Sequence, residues 1–177
     1  MESRRKRKRS QITKWVCYAL PMLLCTVLQT LPGLFRLGEA KPLWLLPLAL
    51  AVAVEEGEFA GGIFGAVCGL MWDYTAGRTA GLLAFELLLL CFLLSAVMQL
   101  YFKTSAANVV LLETAAVLLV LSLDWLFFYY MPGYSWALSR WLTFVLPSAM
   151  MTLVPSLVLF SLVRHIYSAF KIDNGVV

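Results

Sequence analysis

Charge is what this sequence has least of. Only 14% of its 177 residues are Asp, Glu, Lys or Arg, and 62% are hydrophobic, whereas a soluble domain is about a quarter charged and about half apolar. An ordinary soluble fold is thereby excluded, and the composition is that of an integral membrane protein. The net charge of +4 looks basic, but six of the 14 Lys and Arg residues sit in one run at residues 4–9. Beyond Arg9, eight basic groups face nine acidic ones, so the body is near neutral and offers no basic surface for nucleic acid. Beside a hydrophobic span, the run reads as a cytoplasmic tail that fixes orientation and touches anionic lipid.

Histidine and paired cysteine are also scarce. His165 is the only histidine and lies near the C-terminal end, which excludes a Ser–His relay inside a bundle and leaves metal binding without its commonest ligand. Cys17, Cys25, Cys68 and Cys91 all fall in apolar segments with no close-spaced pair, a pattern of small buried hydrophobes rather than of disulfides or a metal site. No clear small-x-small cleavage site follows the basic run, so the first apolar segment is expected to be a retained helix and not a signal peptide.

What is present is a series of apolar segments at residues 15–35, 43–54, 59–72, 82–102, 106–131 and 140–163. They predict an all-α membrane bundle of about six transmembrane helices, with a basic tail over 1–14, a polytopic domain over 15–163 and a short C-terminal tail over 164–177. The second and third segments are short: a dozen helical residues cover about 18 Å of a core about 30 Å thick. They form a broken or re-entrant pair, or cross with their flanking charges shielded in the bundle. If all six cross, both termini are cytoplasmic. Lys14, Lys103, Arg164 and Lys171 then join the basic run inside, against Arg36, Lys41, Arg78 and Arg140 outside.

Glycine is spaced every fourth residue at Gly57, Gly61, Gly65 and Gly69; the step continues through Asp73 to Gly77 and Gly81. In lipid, helices associate by close backbone approach, which residues without bulky side chains permit. The ridge therefore presents a smooth face, to another helix of this chain or to a partner's membrane helix.

The acidic residues are the second unusual feature. Glu55, Glu56 and Glu58 fall at a turn, Asp73 ends the third segment, and Glu86, Glu113 and Asp124 lie within long apolar helices. An ionised carboxylate in hydrocarbon costs several kcal/mol, so these groups must face the bundle, find a partner or be protonated. They could serve a proton relay, a substrate site or, from Asp73 and Asp124, an aspartyl dyad. They could equally be structural, with Asp73 paired to Arg78 or Arg140. Only two carboxylates speak for an intramembrane aspartyl peptidase, a remote alternative.

The order of these landmarks resembles a known family. The glycine-rich segment ending in Gly69, Leu70 and Asp73, followed by Gly81 and Leu82 opening a long helix, is similar to the core of the MreD rod shape-determining family. An acidic residue among aromatics at Asp124 and the prolines Pro147 and Pro155 of the last helix extend the likeness. Two features depart from it: Thr152 or a neighbour stands where members often carry Asn, and the basic run is extra.

The resemblance implies a non-enzymatic subunit of the bacterial elongation complex, without cofactor or metal. It would bind MreC and, through it, the RodA glycosyltransferase and a class B penicillin-binding transpeptidase. It also implies a fold similar to the substrate-binding component of energy-coupling-factor vitamin transporters. Such a component is the main functional alternative, with the carboxylates lining a vitamin site and residues 127–134 as the one candidate outer loop.

Overall fold

A computed structural model describes residues 2–31, 38, 40–77, 81–101 and 105–170, with backbone alone for 2–8, 101 and 106. Among these residues the chain forms six helices: α1 (Glu2–Thr30), α2 (Leu45–Glu56), α3 (Glu58–Ala76), α4 (Leu82–Tyr101), α5 (Ala106–Trp125) and α6 (Ala137–Phe170). A π-helical turn at Leu126–Tyr130 extends α5, and another at Trp141–Val145 interrupts α6. Four stretches are long and apolar enough to cross a membrane: Arg9–Thr30, Leu82–Leu100, Ala107–Tyr130 and Ala137–Phe170. The expected tail is thus helical from Glu2 and continuous with the first span.

The centre of the bundle is the shortest of these helices. Every residue of α2 from Leu45 to Val54 is buried, because its sequence, Leu-Leu-Pro-Leu-Ala-Leu-Ala-Val-Ala-Val, has no polar face to turn outward. All five other helices touch it. Around this hub α1 packs on α3, α3 on α4, α5 on α6 and α6 on α1, while α4 and α5 barely meet. The ring therefore has one open seam.

At 12 residues, α2 rises about 18 Å. The rest of its path is made by the non-helical residues 41–44, held against the bundle. Irregular backbone at membrane depth must be satisfied by protein, and three side chains do so. Ser148 Oγ accepts from Lys41 N–H at 3.3 Å and Thr152 Oγ1 from Leu43 N–H at 3.2 Å. Gln29 Oε1 accepts from the N–H groups of Trp44 and Leu45 at 3.2 and 3.1 Å.

The third segment is not short, contrary to the sequence expectation. At 19 residues, α3 rises about 28 Å. The apolar run ends at Trp72, but Asp73 stays helical because its carboxylate finds backbone donors just beyond the helix end. Between α2 and α3 stands a single residue, Gly57, at φ 93°. This left-handed backbone, costly for any residue with a Cβ, lets the chain reverse without a loop.

Candidate functional site

The glycine ridge is where helices come closest. A Cβ added at Gly61 would lie 2.3 Å from Ala53 Cα on α2. One at Gly65 would lie 2.6 Å from Cys91 Sγ and 2.9 Å from the Leu87 carbonyl oxygen, and one at Gly69 would lie 2.5 Å from Ala84 Cα. Real Cβ atoms do not tolerate such distances, so the absence of a side chain is what allows α3 to seat against α2 and α4. The face that could have received a partner's helix is occupied within the chain. Gly57 faces Gln99, with 3.5 Å between its would-be Cβ and Nε2.

Asp73 is buried, and its Oδ2 accepts from the N–H of Gly81 at 2.8 Å and of Leu83 at 3.2 Å. These donors belong to the first turn of α4 and its approach, where N–H groups have no intrahelical acceptor. The spacing from Asp73 to Gly81 is thus a capping arrangement across the α3–α4 connection. Arg78, one of the two cations expected beside Asp73, lies outside the described residues. The other, Arg140, lies among the rings of Tyr129, Phe144 and Trp136 at 5.1, 5.4 and 5.9 Å, a cation–π setting.

Glu113 is fully buried on α5 with neither carboxyl oxygen hydrogen-bonded. Cys91 of α4 lies near it, and Ser156 of α6 lies beside it outside hydrogen-bonding geometry. Asp124 is buried near the far end of α5. Glu86 is half-buried near the start of α4, close enough to Asp73 and Asp124 to feel both charges. Its Oε2 is enclosed without a hydrogen-bond partner. The structure thus places Asp73, Glu86 and Asp124 at one end of the bundle and Glu113 apart from them.

At the opposite end, Glu56 ties three elements together. Lys14 Nζ of α1 pairs with its Oε2 at 2.6 Å, and Tyr18 OH donates to its Oε1 at 2.7 Å. The Lys14 ammonium also lies 5.7 Å from the Tyr167 ring centroid on α6. The sequence reading set Lys14 on the inner side and Glu56 at a turn; their pairing was not foreseen. Nor was the use of Ser148 and Thr152, although their four-residue spacing with Ser156 on an apolar helix was a readable signal.

Two recesses stand out among the described residues. One, of about 450 Å³, is the open seam between α4 and α5, lined by apolar side chains and by Glu86. The other, of about 540 Å³, lies at the α5–α6 turn between Trp125, Tyr130 and Tyr134. There Trp125 Nε1 donates to the Ala137 carbonyl at 2.7 Å, tying the aromatic turn onto α6. Among the described residues no cluster of His, Cys, Asp and Glu could hold a metal ion.

The family model described as rod shape-determining protein MreD matches residues 9–170. No curated protein and no solved structure matches the chain. The expected likeness to energy-coupling-factor components therefore rests on the family resemblance alone.

Proposed function

The chain belongs to the MreD family of rod shape-determining membrane proteins, and from that premise we propose that it is a non-enzymatic scaffold subunit of the elongation complex. It binds MreC and, through it, RodA and a class B penicillin-binding protein, and so supports lateral peptidoglycan synthesis. The observation that carries the reading is the family match over residues 9–170. The geometry supports it in one respect: the residues most suggestive of chemistry serve the fold. Asp73, which an aspartyl dyad would need free to share a proton, has its Oδ2 engaged by two backbone N–H groups. The glycines join helices.

In this reading both termini are cytoplasmic. Lys14, Glu56, Tyr18 and Tyr167 meet at the inner face, and the basic run at residues 4–9 reaches anionic headgroups as the end of α1. The membrane domain spans 15–163, with tails on either side.

A mild-detergent pulldown of the tagged protein from native membranes, followed by mass spectrometry, tests it. Recovery of MreC with cell-wall synthases is expected. Recovery of a transmembrane coupling protein with paired ATPases would contradict it and make the protein a vitamin-transporter component.

A further inference from the structure

The five outer helices close around α2 everywhere except between α4 and α5. The opening is shaped for something long. Phe85, Leu89, Leu93 and Val97 follow one another on α4 at helical spacing, facing Ala115 and Leu119 of α5. The α4 stretch covers about 18 Å, or a little over three turns, and Leu93 and Leu119 are 59% and 51% exposed.

The groove is apolar along its length and acidic at one end. Glu86 lines it, with Oε2 enclosed and lacking a hydrogen-bond partner, and Asp73 and Asp124 add negative charge nearby. An unpaired carboxylate in hydrocarbon is costly, and a cation brought against it removes much of that cost.

From this combination we infer that the α4–α5 seam is the seat of a partner protein's membrane-spanning helix, which lays an apolar face along the leucines and brings one basic side chain to Glu86. The proposal rests on the scaffold reading above and names the place where that scaffold is completed. A lipid acyl chain would fill the apolar length but bring no cation to Glu86. A second copy docked seam to seam in two-fold fashion would bring two Glu86 carboxylates toward each other. A helix with a basic residue at one end satisfies both halves of the groove and closes the ring.

The test is site-specific photo-crosslinking in membranes that also contain MreC. A photoreactive residue is placed at Leu93 or Leu119 in the seam, and at Leu23 of α1 or Val158 of α6 as exposed controls outside it. MreC adducts are expected at least fivefold more often from the seam than from the controls, mapping to an apolar peptide with Lys or Arg near one end. Glu86→Gln should lower the seam adduct several-fold and Glu86→Lys should abolish it, each with an unchanged melting temperature in detergent. The proposal is overturned if MreC co-purifies but crosslinks only from the controls. It is equally overturned if the seam captures only lipid or a second copy, or if Glu86→Lys leaves the adduct intact. The first of these outcomes leaves the scaffold reading standing; failure of MreC to co-purify at all overturns both.

Discussion

Helix α4 has two flanks that differ in kind. Against α3 it is locked at backbone distance, Gly69 leaving no room for even a methyl group beside Ala84. Toward α5 it stands apart, and leucines and one carboxylate line the space. In water both flanks would be driven shut by apolar burial, but in lipid an exposed leucine costs almost nothing, and only close packing or hydrogen bonding holds helices together. Small residues therefore mark where the chain binds itself. Large apolar residues mark surfaces left to lipid or to another protein.

This contrast breaks most severely at the tight flank. Gly69→Leu drives a side chain into the α4 backbone, where nothing flexible can yield. It should destabilise the fold by about 3 kcal/mol or more, at or beyond the upper range of overpacking costs. Loss of the monodisperse peak in detergent size-exclusion chromatography would register it, and a Gly69→Leu protein melting like the parent would refute the packing account.

The polar stitches come next. Thr152→Val removes the acceptor for the buried Leu43 N–H and should cost about 1–3 kcal/mol, the range for an orphaned buried donor. Thr152→Ser keeps the hydroxyl and should recover most of that loss, which thermal unfolding of both variants in one detergent would show. Asp73→Ala should cost about 1–2 kcal/mol through loss of the α4 cap. Asp73→Asn keeps an oxygen acceptor and should melt closer to the parent; if Asn proved as damaging as Ala, charge rather than capping would be the requirement.

The smallest effect on stability is expected at the open flank. Leu93→Ala removes a side chain that is 59% exposed and should shift stability by no more than about 0.5 kcal/mol, the usual range away from packed features. A larger loss by thermal unfolding would show that the seam is already closed by this chain.

Where periodicity and small-residue spacing carry the signal, this architecture can be read from its sequence. The apolar runs located six helices, and the four-residue glycine step located the tight contacts. That step did not reveal which helix lay opposite, because a smooth face is the same whether α4 or a foreign helix fills it. The length of α3 was underestimated at Asp73, since a carboxylate in an apolar run looks like a terminus until its backbone donors at Gly81 and Leu83 are in view. The central place of α2 was hidden for a related reason. Its path depends on Gln29, Ser148 and Thr152, distant in sequence and individually unremarkable, whose shared role exists only once residues 41–44 run beside them.

The central claim is that the two flanks of α4 do different work, and Leu119→Trp tests it most directly by filling the open seam without touching the tight one. The measurement is the amount of MreC recovered per unit of folded protein from native membranes, read beside the melting temperature of the same preparation. The account predicts that recovery falls at least tenfold while the melting temperature stays within a few degrees of the parent. Undiminished recovery of MreC with the seam filled would contradict it.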